Sequence, residues 1–508
     1  MTTIPELLEH AAESYQDDVA LIDETSGRST YAELAGQARD VTRAALALGV
    51  EPGDRVALWA PNSGRWIRTA LGLLAAGAVL VPISTRFKGP EAADILARSR
   101  CRALFMVRDF LGTDYSRMLA ESGVDLPELA HTVLLDDDAD WHRFLALRNT
   151  IAHNVMPSVE PDAISDILFT SGTTGAPKGA MATHRQTLDV YQRWSDVVTL
   201  RRGDRYLLVN PFSHTFGYKA GIIACVLRGV TMLPVPTFDV DEVLRLVHAE
   251  RISVLLGPPT IFTGLLDHAE RAAHDLSSLR VLGTGGTTVP VELVERLRRE
   301  LAVEQVFTAY GLTESTGVVS VCPPGADARL VAETAGTALP GTEVRIVDAD
   351  GRDLAAGEQG EILARGPNIM QGYLDDPAAT RAAIDADGWL HTGDIGTLDS
   401  GGYLRITDRL KDMFIVGGFN AYPAEIERVL SGHPDVSEVA VVGVPDERLG
   451  EVGAAYVVSA NGTTPDPAAI IAWARERMAG FKVPREVRFV PALPRNASGK
   501  VLKHQLRG

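Results

Sequence analysis

Short apolar runs punctuated by glycine and proline alternate with helical spacing through the first two-thirds of the chain. Ala70–Ala76 predicts a buried helix, and Val79–Pro82 a buried strand just after Gly77. Ile164–Phe169 predicts a strand that runs into a Gly/Thr/Ser loop. Leu207–Val209, Thr231–Val235 and Val254–Leu256 predict further buried strands with helices between them. Such alternation predicts a mixed α/β fold with largely parallel sheets. The pattern changes near residue 336. Between Gly336 and Gly366, Thr342–Asp348 and Gly360–Gly366 predict a small β-region of short strands. It changes again across Asp408–Gly418. Pro423–Leu430 then predicts a helix, with proline at a favourable first position. Val436–Val444 and Gly453–Ser459 predict strands, and Asp466–Ala479 a helix. These form a compact α+β unit of about 100 residues, with its boundary at Asp408–Lys411.

Composition narrows the class. The 508 residues suggest three to four domain-sized units at roughly 150 residues each. The net charge of −17 argues against a nucleic-acid binder, which needs a basic face. Cys101, Cys225 and Cys322 lie far apart, so neither a disulfide framework nor a zinc site is expected. The acidic, amphipathic start of the chain does not read as a signal peptide. The uncharged stretch Thr69–Thr85 is broken by Gly72, Gly77 and Pro82 and is too short to span a bilayer. A cytoplasmic protein with no integral membrane association is the expectation. Charge is uneven, however. Lys482–Gly508 holds seven Lys/Arg against one acid, Glu486. An acidic protein with anionic substrates must concentrate positive charge locally, and this tail is the expected place.

Five blocks carry candidate chemistry. Thr170, Ser171, Gly172, Thr173, Thr174, Gly175, Ala176, Pro177, Lys178 and Gly179 follow a strand. Glycines admit a ligand close to the backbone, and the hydroxyls and lysine are donors to anionic oxygens. A phosphate cradle fits. A flexible linker is the plainer alternative, and the spacing is not that of a Walker A loop. Tyr310, Gly311, Leu312, Thr313 and Glu314 place a hydroxyl beside a carboxylate at a strand end, suited to Mg²⁺ or simply to a capped helix start. Gly283, Thr284, Gly285, Gly286, Thr287 and Thr288 form a degenerate G-x-G-x-x-G, which keeps a nicotinamide-dependent dehydrogenase open as an alternative. His391–Asp394, Asp408–Asp412 and Gly417-Gly418 read singly as turns and solvated charges. Lys500, in Pro494–Lys500, reads singly as a surface lysine.

Taken together and in this order, from about Leu21 to Lys503, the blocks resemble the ANL adenylating superfamily of acyl-CoA synthetases, peptide-synthetase adenylation domains and luciferases. The resemblance implies a large N-terminal domain, 1–408, of two α/β subdomains plus a β-subdomain at about 336–408. It implies a small mobile α+β C-terminal domain, 409–508. It also implies two steps: a carboxylate attacks the α-phosphate of ATP to give an acyl-adenylate and pyrophosphate, then a thiol displaces AMP. By the same resemblance Thr170–Lys178 would embrace the β- and γ-phosphates. Glu314, with Thr174, would ligate Mg²⁺, and Thr313 would lie near the α-phosphate. Gly285, Gly286, Thr287, Ala309, Tyr310 and Gly311 would flank the adenine. Asp394 would accept the ribose hydroxyls with help from Arg409, and Lys411 would be the hinge. Lys500 would bridge the α-phosphate and the substrate carboxylate, and Gly417 and Gly418 would line the thiol tunnel.

The run Lys411–Glu427 looks most like stand-alone acyl-CoA ligases, so CoA is the expected thiol. Asn210–Gly221 occupies the family's acyl-pocket position, with His214 as the gating histidine and catalytic candidate. Phe216, Tyr218, Ala220, Gly221 and Gly285 are expected to line the site. This segment and Gly257–Ile261 resemble actinobacterial ligases that activate propanoate side chains of steroid-ring fragments. The expected partner is therefore a bulky polycyclic acid, with a medium-chain fatty acid as the alternative. A homodimer is compatible with this reading. The intact Lys178, Glu314, Asp394 and Lys500 argue against a ligand-sensing remnant.

Overall fold

A computed structural model describes residues 1–25, 27–152, 156–170, 177–285, 289–348, 350–409, 414–421, 423–460, 466–494, 501 and 503–506. Two large sheets form the first two-thirds of the chain. In the nine-stranded sheet, Gln305–Tyr310, Val281–Thr284, Val254–Gly257, Arg205–Leu208, Thr231–Pro234 and Val19–Asp23 run parallel in that order. Antiparallel strands complete both edges. In the seven-stranded sheet, Ile164–Thr170, Val79–Pro82, Arg55–Trp59, Ala103–Met106 and His131–Leu134 are parallel. Lys178–Thr183 and Gly372–Tyr373 extend it antiparallel. Buried strands of this kind read as apolar runs because helices cover both faces. One continuous core joins the two sheets. Several covering helices start at reciprocal caps, as at Thr3/Glu6, Thr30/Glu33 and Thr183/Gln186.

Glu343–Val347, Gly360–Arg365, Leu390–Leu398 and Leu404–Arg409 form an antiparallel sheet with its own core. A last sheet gathers Phe419–Ala421, Phe414–Val416, Gly450–Ser459, Val436–Asp446 and the parallel Glu486–Phe489. The helices Pro423–Leu430 and Pro467–Arg475 contribute Ile426, Leu430, Ile470 and Ala474 to its separate core. The architecture is the expected α/β fold followed by an α+β unit.

Several element bounds differ from expectation; the helix predicted at Ala70–Ala76 spans Gly64–Ala75. The strand predicted at Leu207–Val209 begins at Arg205, since its first residue is only half-buried and carries charge. The hairpin Val436–Asp446/Gly450–Ser459 continues through Pro445 and Glu451, where pairing persists beyond the apolar signal. The helix predicted to reach Ala479 ends at Arg475, and Met478 closes it with a turn back to Ala474. Among the described residues no helix is long and apolar enough to cross a membrane.

Candidate active site

The candidate residues gather at the carboxyl ends of Ile164–Thr170, Val281–Thr284 and Gln305–Tyr310, the usual place for a ligand in open α/β sheets. Thr170 and Lys178 face each other in register at the loop end of their hairpin. Residues 171–176, including Ser171, Gly172, Thr173, Thr174 and Gly175, lie outside the described residues. Glu314 sits on the 3₁₀ turn Thr313–Ser315, just past Gln305–Tyr310. Its Oε1 accepts from Tyr373 Oη at 2.8 Å and from Thr170 Oγ1 at 3.5 Å. The Lys178 ammonium stands 5.0 Å from the centroid of the same Tyr373 ring, within cation–π range. The short strand carrying Tyr373 is itself pinned on two sides. Met370 N–H donates to the Glu314 carbonyl and Leu374 N–H to the Gly179 carbonyl, both at 2.8 Å. Tyr373 thus joins a carboxylate and a lysine read from the sequence, yet it was not itself singled out. Its local signal is no more than a Gly-Tyr pair in the mixed stretch Ile369–Asp375.

The second cluster involves Gly285, Ala309, Tyr310 and Asp394. Among the described residues a Cβ added at Gly285 would meet only the Ala309 carbonyl, at 3.6 Å. Gly286 and Thr287 lie outside the described residues. Tyr310 Oη donates to Asp394 Oδ2 at 2.6 Å. Asp394 is 2% exposed and pairs in register with Arg409 across the third sheet. Gly311 is required by packing, since a Cβ there would fall 2.3 Å from the Gly317 carbonyl.

The acyl segment departs from expectation. His214 caps a short turn, its Nδ1 accepting from Phe216 N–H at 3.2 Å. It keeps an exposed face although protein crowds around it, and that desolvation pushes its pKa down. Phe216 is half-buried. Tyr218, Ala220 and Gly221, expected to line a pocket, are buried instead, with Tyr218 and Ala220 at 0% exposure. They lie on the π-helical stretch Tyr218–Ile223, which turns these side chains into the core. Tyr218 packs against Trp66. The same stretch carries Lys219, whose Nζ meets Asp166 Oδ1 at 2.8 Å with both side chains 1% exposed. This buried ion pair ties the acyl segment to the strand that leads into the Thr170 loop.

Gly417 and Gly418 adopt left-handed φ values of 54° and 83°. A Cβ on Gly418 would stand 3.8 Å from Pro258, in the Gly257–Ile261 segment. Lys411 and Lys500 lie outside the described residues. The basic tail is less free than its composition predicts, because Lys482, Arg488 and Lys503 already face Glu91 and Glu425, Glu486, and Glu427. Among the described residues no cluster of three metal-ligating side chains exists. Glu314 is the carboxylate there that could hold Mg²⁺, which keeps its waters and binds through one or two carboxylates plus substrate phosphates.

The chain matches the AMP-binding enzyme family over residues 8–374 and the AMP-binding enzyme C-terminal domain over residues 425–500. It is 50% identical over 518 aligned residues to the 3-[(3aS,4S,7aS)-7a-methyl-1,5-dioxo-octahydro-1H-inden-4-yl]propanoyl:CoA ligase of Rhodococcus jostii (strain RHA1), covering 100% of this chain and 98% of that one. Among solved structures it overlays with a TM-score of 0.86 on a double mutant of o-succinylbenzoate CoA synthetase from Bacillus subtilis bound with its product analogue OSB-NCoA, at 29% identity, covering 98% of this chain and 97% of that one. On ATP-bound MatB from Rhodopseudomonas palustris the TM-score is 0.71, again at 29% identity, covering 99% and 98%.

Proposed function

The chain belongs to the AMP-binding enzyme family, and from that premise we propose that it joins a bulky polycyclic propanoate to CoA. ATP is consumed through an acyl-adenylate, and AMP and pyrophosphate are released. The observation that carries this reading is the convergence of Thr170, Lys178 and Glu314 around Tyr373. It supplies hydroxyl, cation and carboxylate where a nucleoside triphosphate needs them. The nicotinamide alternative loses its basis, because Gly283 is buried between Leu256 and Phe307 rather than open to a pyrophosphate.

In this reading a carboxylate oxygen of the acid attacks the α-phosphorus and pyrophosphate leaves. Both reactants are anions, so the step needs positive charge in a closed site. Lys178 holds the outer phosphates, and Lys500 holds the α-phosphate and the incoming carboxylate. Mg²⁺, with Glu314 as its protein ligand and Thr174 nearby, supplies further neutralisation when bound. Asp394, oriented by Tyr310, accepts from the ribose, and Gly285 and Ala309 leave a slot for adenine. The CoA sulfur then attacks the acyl carbon and AMP departs. Lys500 and the Gly417-Gly418 loop both belong to the unit after residue 408. A hinge at Lys411 lets each serve one step in turn.

The test is direct. The enzyme is incubated with ATP, Mg²⁺, CoA and either the bicyclic indane-dione propanoate or a medium-chain fatty acid, and adenylate and thioester are read separately by mass spectrometry. Preferential thioester formation with the bicyclic acid supports the proposal. Preference for the linear acid leaves a medium-chain ligase, and the absence of AMP and pyrophosphate ends the ligase reading.

A further inference from the structure

Lys482 follows the helix Pro467–Arg475 in the C-terminal unit and is 2% exposed. Burying an ammonium is costly unless it is paired and hydrogen-bonded. Here Nζ donates to Glu425 Oε1 at 2.5 Å and to Glu91 Oε1 at 2.9 Å. The Phe87 ring centroid lies 4.5 Å from the same nitrogen. Burial pulls the Lys482 pKa down, but the two carboxylates outweigh it and hold the group charged.

The two carboxylates differ in origin. Glu425 lies on the helix Pro423–Leu430 and shares Lys482's domain. Glu91 lies on the helix Gly89–Ser99, nearly four hundred residues away in the chain, and does not. A second contact crosses beside it, where the Arg86 guanidinium stands 3.8 Å from the centroid of the Phe419 ring. Phe419 directly follows the Gly417-Gly418 turn that reaches Pro258. The two contacts and the glycine turn therefore fix one orientation of the C-terminal unit.

We propose that Lys482 is a positioning residue for thioester formation: by bridging Glu91 and Glu425 it holds the C-terminal unit where the Gly417-Gly418 turn meets Pro258. The inference deepens the functional reading above and rests on its two half-reactions. Rotation away from this face would leave Lys482 with Glu425 and release Glu91 to water, so the bridge favours one half-reaction only.

Glu91→Gln tests it. Glutamine can still accept from Lys88 N–H, as Glu91 Oε2 does at 2.9 Å, so the helix cap survives while the charge is lost. Arg86→Ala probes the second contact at an exposed position. The native cysteines are buried, so dyes on Asp125→Cys and Ser431→Cys report domain orientation by energy transfer without any substrate. Adenylation is read as pyrophosphate release from MgATP in the presence of the bicyclic propanoate and no CoA. Thioester formation is read from purified acyl-adenylate plus CoA. Glu91→Gln is expected to slow thioester formation by about tenfold, leave adenylation within about twofold, and shift the energy transfer. Arg86→Ala is expected to act in the same direction by about threefold. Equal loss in both half-reactions, or unchanged energy transfer in both variants, overturns the proposal. If the wild type forms no thioester the functional reading falls, while energy transfer still decides whether the bridge holds the orientation.

Discussion

The phenol of Tyr373 holds Glu314 through its hydroxyl and faces Lys178 with its ring, so one substitution separates the two effects. Tyr373→Phe keeps the ring and deletes the hydrogen bond. Adenylation should fall about tenfold and half-saturation by MgATP should rise, while thioester formation from supplied acyl-adenylate stays unchanged. Stopped-flow measurement of the two half-reactions checks this, and an equal fall in both would remove Tyr373 from its positioning role. Pocket width is best tested at Gly285, because Ala220 has no surface to offer a substrate. Overpacking costs about 1–3 kcal/mol where a rigid ring must sit. Gly285→Leu should weaken MgATP through the adenine slot for every acid alike and, beyond that shared loss, cut turnover of ring-bearing acids by about tenfold relative to slim linear acids. An unchanged ratio of the two would place the acyl site elsewhere. Lys178 and Glu314 were legible as charges at strand ends or in glycine-rich runs, and Asp394 only through the order of the motif blocks. Tyr373 was not, because a lone aromatic in a mixed stretch has no local chemistry until its partners fold around it.

At the scale of elements, the helix His184–Val197 begins with a buried histidine whose Nδ1 accepts from Ile4 N–H at 3.3 Å. Burial, aided by the nearby Lys219 charge, pushes the His184 pKa from 6.5 down to about 4. The unfolded chain therefore binds a proton over that interval and the folded chain does not. Stability should be fully present above pH 6.5 and fall by about 3 kcal/mol from this group as the pH drops toward 4. His184→Gln should flatten that part of the profile, as read from urea midpoints at several pH values. Parallel profiles for the two proteins would show that His184 carries no such penalty. The π-helical stretch Tyr218–Ile223 is the element the sequence least foretold. Its residues look like pocket lining by position, but the wider turn directs them into the core and buries Lys219 against Asp166.

For the whole molecule, the proposed chemistry divides between two faces of one mobile unit. Lys500→Ala should cost adenylation about 10²–10³-fold and leave thioester formation from supplied acyl-adenylate near wild type. Equal losses in a paired half-reaction assay would detach Lys500 from its assigned role. The interdomain contacts of Glu91 and Arg86 lie on the opposite side of this balance, because they accompany the Gly417-Gly418 turn at Pro258.

The sequence by itself determined the α/β alternation, the compact C-terminal unit and the reaction class. Buried parallel strands must be apolar, helix starts must be capped, and phosphate chemistry needs glycine, hydroxyl and charge at strand ends. Those requirements are local, so they are written in short segments. Tertiary structure alone decided what depends on distant pairing. Tyr310 meets Asp394 across 84 residues, and Tyr373 meets Glu314 across 59. Composition made Lys482 part of a free basic tail, but folding buries it between two carboxylates. A charge's role follows from the groups that surround it, and for this lysine one of them lies 391 residues away.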